Sequence, residues 1–262
     1  MGRSIIDMTG RVVAITGAGQ GVGRQIALDA ASAGARAVVV NDFVRERAEA
    51  VADEVRAEGA EALALPFDVT DAVAVAAAFE QIGSTFGELH ALVNNAGNAG
   101  AGGSARFEDF WSQPVESWGP WLGTNLYGVL NCVRFAVPLM REHGEGRIVT
   151  IISDAARAGE AGLEVYSAAK AGAAGFMRAV ARSVGRYGIT ANSVAISATR
   201  TPFVETMLDD EAAAKEQLKR YIIRRFGTPE DVAGMVVFLC SGAGAWVTAQ
   251  TIPVNGGYAV AL

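Results

Sequence analysis

Short β-branched and apolar runs alternate with helix-patterned segments along this chain, and that alternation restricts its fold more than any other feature. Residues 11–16 form the first run and end in glycines; 25–33 then place Ile26, Ala30 and Ala33 on one helical face before Gly34 stops the pattern. A second strand is expected at 37–40 and a helix at 45–58, with Ala48, Val51 and Val55 inward and charges outward. A third strand at 62–67 ends at Asp68, and Thr70 or Asp71 can cap the next helix, where Val75, Phe79, Ile82 and Phe86 recur at helical steps. Strand 89–94, a long helix around 118–140, strand 147–152, helix 166–187 and strand 190–196 follow. Near-continuous apolar strands joined by helical crossovers imply an α/β chain whose parallel sheet is covered on both faces.

The first strand-to-helix junction carries the first chemical signal. Thr16-Gly-Ala-Gly-Gln-Gly-Val-Gly23 fits Thr-Gly-x-x-x-Gly-x-Gly rather than Gly-x-Gly-x-x-Gly, because Val22 and Arg24 stand where the last glycine would fall. A glycine turn here lets backbone amides and a helix N-terminus meet a pyrophosphate; the alternative is a turn that only joins strand to helix. Asp42 ends the second strand near the ~20-residue offset expected of an acid that binds a ribose 2′-hydroxyl. Its charge would repel a 2′-phosphate, and Gln20 leaves the loop without a cation, which favours NAD over NADP. Arg45 and Arg47 keep NADP open, and Asp42 can instead cap the following helix.

Tyr166 and Lys170 stand at i and i+4, so both side chains share one helical face. An ammonium beside the phenol is expected to favour the phenolate and bring Tyr166 toward acid–base work near neutral pH. An ordinary surface pair has the same spacing. Ser153 follows the apolar run 148–152. It lacks the Gly-x-Ser-x-Gly elbow of a serine hydrolase, and no histidine lies where the pattern would bring one close.

Taken in order, these segments resemble the short-chain dehydrogenase/reductase family over nearly the whole chain. The matching residues are Thr16, Gly17, Gly21 and Gly23 of the glycine turn, Asn94-Asn95-Ala96-Gly97, Asn125, Ser153, Tyr166 and Lys170, with Asn192-Ser-Val and Thr251-Ile-Pro-Val-Asn-Gly-Gly near the end. The resemblance implies a single doubly wound, Rossmann-like domain over 1–262 with a parallel sheet of about seven strands. It also implies a cofactor site of Gly17, Gly19, Gln20, Gly21, Val22, Asp42, Asp68, Val69, Asn95, Ala96, Gly97, Tyr166, Lys170, Thr199 and Thr201. As the family's residues imply, Tyr166 exchanges the oxygen-bound proton, Ser153 holds the substrate oxygen, Lys170 lowers the phenol pKa and binds the ribose, and Asn125 holds a relay water. One departure stands out: Ile196 and Ser197 occupy positions where the family usually has Pro-Gly, which alters backbone freedom beside the nicotinamide.

Stretches 98–117 and 197–223 follow strand ends, and the latter is the expected substrate lid. They carry Phe107, Phe110, Trp111, Trp118, Trp121, Phe203, Met207 and Leu208, able to wall a hydrophobic substrate or simply to fill the core. Lys215, Lys219, Arg220, Arg224 and Arg225 form a basic cluster, which fits either a solvated helix face or the phosphates of an acyl thioester. Ser153-Asp-Ala-Ala-Arg157 is similar to a run in some alicyclic hydroxyacyl-CoA dehydrogenases of the family. The activity so implied is hydride transfer between NAD and a hydrophobic, alicyclic or hydroxyacyl-thioester secondary alcohol. An NADPH-dependent 3-oxoacyl-ACP/CoA reductase and a non-catalytic dinucleotide-binding regulator are the alternatives.

Twenty-two basic and 28 acidic side chains give a net charge of −6, so no overall field draws the chain to nucleic acid or an anionic membrane. Cys132 and Cys240 sit in apolar helical patterns, and His90 and His143 are far apart, which argues against a disulfide framework and a metal cluster. The first residues lack a signal-peptide core and no long apolar run follows, so a cytoplasmic location is expected. Apolar and small residues on more than one side of the helices at 118–140 and 166–187 suit self-association, and the family commonly forms homotetramers.

Overall fold

The computed structural model describes residues 5–97, 109–205 and 211–260. In chain order it contains β1 (Val12–Ile15), α1 (Gly21–Ser32), β2 (Ala37–Val40), α2 (Arg45–Ala57), β3 (Glu61–Ala64), α3 (Ala72–Phe86) and β4 (Ala91–Asn94). Then come α4 (Trp118–Leu122), a π-helical turn (Gly123–Tyr127), α5 (Gly128–His143), β5 (Gly146–Ser153), α6 (Ala155–Ala158), α7 (Glu164–Val184) and β6 (Ile189–Ile196). The chain ends with α8 (Pro202–Glu205), α9 (Glu211–Leu218), α10 (Pro229–Cys240) and β7 (Thr251–Val254). All seven strands pair in parallel in the order β3-β2-β1-β4-β5-β6-β7, a doubly wound sheet as expected.

Strand alternation assigns the two cores. Val13, Ile15, Val38 and Val40 face one side and pack with α1, α2 and α10; Val12, Ala14, Val39 and Leu92 face the other and pack with α3, α5 and α7. Chain direction across the sheet reverses between β1 and β4, so their carboxyl ends open a crevice where α/β sheets take ligands.

Several boundaries differ from the expected ones: α1 begins at Gly21, β4 at Ala91, and the helix expected at 118–140 is divided by the π turn and runs on to His143. β3 stops at Ala64 because Asn41, just past β2, donates its side-chain amide to Leu65 O and Phe67 O, each at 3.0 Å, replacing strand pairing there. Helix α7 starts at Glu164, placing Tyr166 within its first turn, and a 3-10 turn carries it on to Tyr187. Asp71, rather than Thr70, caps α3 by accepting from Val73 N and Ala74 N. Helix α10, absent from the expected elements, starts where the Asp231 carboxylate accepts from Thr228 N at 2.8 Å.

Candidate active site

The glycine turn is shaped by close backbone approach. Gly17 and Gly21 hold φ of +61° and +56°, where a side chain is strained. A Cβ on Gly23 would meet Gly17 O at 2.3 Å, and one on Gly19 would meet Asp42 Oδ2 at 2.6 Å. Thr16 Oγ1 accepts from Asn95 N and Ala96 N at 3.1 Å, while Asn95 Nδ2 donates to Thr16 O and Gly17 O. These bonds lock the turn after β1 to the segment after β4. Gln20 is the N-cap of α1 and makes no side-chain capping bond, and Val22 is buried; the helix N-terminus therefore follows directly on the glycine turn. Such a cradle fits a pyrophosphate.

Asp42 accepts from Gly19 N at 3.1 Å and Val44 N at 2.9 Å, and pairs with Arg47 at 3.0 Å; Arg47 also donates to Gln20 Oε1. Asp42 therefore borders the glycine turn, but it does not cap α2: the N-cap is Val44, with no side-chain capping bond. Asp68 accepts from Thr70 N, and Val69 is buried against the flank of Gly128. Thr199 is buried with Oγ1 donating to Ser197 O, and Thr201 reaches the glycine turn, its Cγ2 3.1 Å from where a Gly21 Cβ would stand.

Ser153 ends β5, and its hydroxyl accepts from Ala155 N at 3.2 Å beside the Tyr166 phenol, whose pKa it lowers. Lys170, 3% exposed, donates to Ile151 O at 2.9 Å and lies 5.9 Å from the centre of the Tyr166 ring. Asn125 is fully buried in the π-helical turn and donates to Trp121 O; its Oδ1 and Lys170 Nζ both face Gly97, where a Cβ would lie 3.4 and 3.6 Å from them. A π turn displaces one side chain from the α-helical pattern and often marks functional sites. Trp121 sets its edge against the Tyr166 ring, with centroids 5.6 Å apart.

One expectation needs correcting. Burial pushes the Tyr166 phenol above its ordinary value, with the Ser153 bond opposing and the Glu160 charge adding to the rise. Burial also pulls Lys170 down to about 8. Desolvation sets the direction of the Tyr166 shift, opposite to the one an adjacent ammonium was expected to give.

The proposed wall is only partly within view. Phe110 stacks on Trp118 with centroids 5.5 Å apart, and Trp111 is exposed. Phe107, Met207, Leu208 and the Phe203 side chain lie outside the described residues. The basic cluster is largely engaged: Lys219 pairs with Glu216, Arg225 with Asp231, Arg224 donates to Lys219 O, and Arg220 lies over the Tyr258 ring. The described residues include no metal-holding group of histidine, cysteine or carboxylate side chains and no helix able to cross a membrane. Cys132 and Cys240 are buried and free. The Arg47 bridge between Asp42 and Gln20 escaped the sequence reading, since Arg47 stood there only as a phosphate candidate.

A family profile described as "Enoyl-(Acyl carrier protein) reductase" matches residues 17–259. The chain is 36% identical over 244 residues to 3-oxoacyl-[acyl-carrier-protein] reductase FabG of Staphylococcus aureus, covering 93% of this chain and 96% of that one. It is 34% identical over 252 residues to 7alpha-hydroxysteroid dehydrogenase of Escherichia coli, covering 96% and 95%. Among solved structures, a 7alpha-hydroxysteroid dehydrogenase complexed with NADH and 7-oxo glycochenodeoxycholic acid superposes with a TM-score of 0.90 at 32% identity, covering 98% of each chain. The chain belongs to the short-chain dehydrogenase/reductase family and is an oxidoreductase of CH–OH groups.

Proposed function

We propose that this chain transfers a hydride between NAD and a hydrophobic secondary alcohol or its ketone, with 1–262 acting as one domain and 197–223 as its substrate lid. The observation that carries this reading is the meeting of Ser153, Tyr166, Lys170 and Asn125 beside the glycine cradle at the carboxyl ends of β1, β4 and β5. Bound NAD would supply the hydride acceptor, or NADH the donor. Ser153 would hold the substrate oxygen and Tyr166 would take or return its proton. Lys170 and Asn125, grouped about Gly97, would bind ribose hydroxyls and pass protons outward. Asp42 and Gly19 would take the adenosine ribose, Gln20, Gly21 and Val22 the pyrophosphate, and Asp68 and Val69 the adenine side. Asn95, Ala96, Gly97, Thr199 and Thr201 would flank the nicotinamide half.

The relative that acts on 7alpha-hydroxysteroids, and its neighbour holding NADH and a 7-oxo bile acid, support an alicyclic substrate. The FabG relatives support a second reading, a 3-oxoacyl reductase; Arg47 beside Asp42 would let that reading use NADPH. Exposed Ala168, Ala171 and Gly172 on α7 offer a flat surface for a homotetramer, and a cytoplasmic location fits the composition. The test compares NADH and NADPH by fluorescence enhancement, then turnover of secondary alcohols and hydroxyacyl thioesters, with Tyr166→Phe alongside. Loss of about 10²- to 10⁴-fold in kcat is expected for that variant; normal turnover would overturn the assignment.

A further inference from the structure

Beyond the reacting groups, the carboxyl ends of β5, β6 and β7 are tied together at one residue, through its side chain and its backbone carbonyl. Asn255, the first residue after β7, donates from Nδ2 to Asp154 Oδ2 at 2.6 Å and to Ala259 O at 2.8 Å, and its Oδ1 accepts from Gly257 N at 2.9 Å. Its backbone carbonyl accepts from the Ser197 hydroxyl at 3.3 Å. Asp154 directly follows Ser153, is 1% exposed, and gives its other oxygen to Arg157 at 2.5 Å. Ser197 in turn accepts from Thr199 Oγ1, and Ala198 N donates to the buried Tyr221 hydroxyl at 3.1 Å. A glycine at 197 would have no hydroxyl to offer; the residue that departs from the usual Pro-Gly is thus a working member of this network.

We propose that Asn255 is a positioning residue for the reaction. Through Asp154 it fixes the limb that carries Ser153, and through Ser197 it fixes the limb that carries Thr199 and Thr201. The proton-transfer side and the nicotinamide side of the cleft are thereby held at one separation. This inference rests on the proposed activity. A misplacement of about 1 Å at such a site costs on the order of 100-fold in rate, so a bond network far from the reacting atoms has a kinetic signature.

The charged and titratable groups around the pair are Arg157 on α6, Glu160, Arg220 and the hydroxyls of Tyr221 and Tyr258. Asn255→Asp would place a second carboxylate against Asp154, and two such groups in contact resist joint ionisation. They bond only while sharing a proton. Adding Asp154→Asn restores one amide and one carboxylate with the roles exchanged.

The experiment measures kcat, KM for NAD and alcohol, and thermal melting from pH 5.5 to 8.5 for the wild type, Asn255→Asp and the double variant. Expected is a ratio of Asn255→Asp to wild-type kcat that falls about 10-fold or more as pH rises, with little change in KM for NAD. The double variant should be faster than Asn255→Asp at pH 8, yet short of wild type, because the exchange restores neither the Arg157 ion pair nor the bond to Ala259 O. A flat ratio, or a double variant no faster than Asn255→Asp at pH 8, would overturn the proposal. Asn255→Leu adds a check without charge: wild-type kcat in a folded protein would also overturn it, and if it does not fold, the pH series still decides. Normal turnover by Tyr166→Phe would strike the proposed activity itself, a result this series does not produce.

Discussion

Replacing Lys170 by Met should make this protein more stable at pH 7 while removing its turnover. Lys170 is 3% exposed, and burial draws its pKa from 10.5 to about 8. At about 1.4 kcal/mol per pH unit, that gap makes the protonated amine cost the fold roughly 3 kcal/mol. Met keeps most of the side-chain volume but loses the bond to Ile151 O, which returns about 1 kcal/mol of the gain. A net stabilisation of about 2 kcal/mol corresponds to ~4–8 °C in melting temperature for a domain of this size. The pH dependence has a definite sign. Below pH 8 both folded and unfolded wild-type chains carry the proton, and the full cost is present. Between about 8 and 10.5 the unfolded chain holds more protons than the folded one, so wild-type stability recovers as pH rises. Calorimetry of both proteins at pH 7 and pH 10 should show a gap that nearly closes at the higher pH. A variant melting below wild type at pH 7, or a gap unchanged at pH 10, would refute the desolvation argument.

Gly23→Ala should cost about 2–3 kcal/mol by denaturant melting and abolish NADH fluorescence enhancement, because its Cβ would lie 2.3 Å from Gly17 O and 2.4 Å from Asn95 Nδ2, atoms with little room to yield. Asp42→Ala should shift the ratio of NADH to NADPH affinity by at least about 10-fold toward NADPH, since it removes the anion and frees Arg47; an unchanged ratio in titrations of the two cofactors would contradict this. A raised phenol pKa keeps Tyr166 protonated through neutral pH, so ketone reduction should hold there while alcohol oxidation accelerates as pH rises; stopped-flow rates in both directions would show the opposite trends. Cys132 and Cys240, with thiols pushed to about 12, should resist aromatic disulfide reagents at pH 8 and react only after denaturation.

The sheet was legible because strands buried on both faces are largely apolar: β1, β2 and β4 carry such runs, β5 does so apart from Arg147 and Thr150, and β6 also buries Thr190, Asn192 and Ser193. Strand β3 was read too long, since nothing local reveals that Asn41 takes the carbonyls of residues 65 and 67. The glycine turn and the Tyr166–Lys170 face were legible from spacing, as both depend on local geometry. What spacing does not carry is depth. The direction of the Tyr166 shift, the Arg47 bridge and the Asn255 network all join residues distant in sequence, through burial or contacts that only the assembled sheet creates.

That distinction bears on how Lys170 contributes. Its ammonium lies toward the Tyr166 ring rather than bonded to the phenol oxygen, and its donated bond goes to Ile151 O. The same desolvation that pushes Tyr166 up draws Lys170 down, so both side chains favour their neutral forms as the cleft is dried. The neighbour that opposes this rise at Tyr166 is the Ser153 hydroxyl. Lys170 Nζ instead donates to Ile151 O and, with Asn125 Oδ1, faces Gly97. On this geometry the neighbour that lowers the Tyr166 phenol pKa is Ser153, while the Lys170 ammonium is held by Ile151 O beside Gly97.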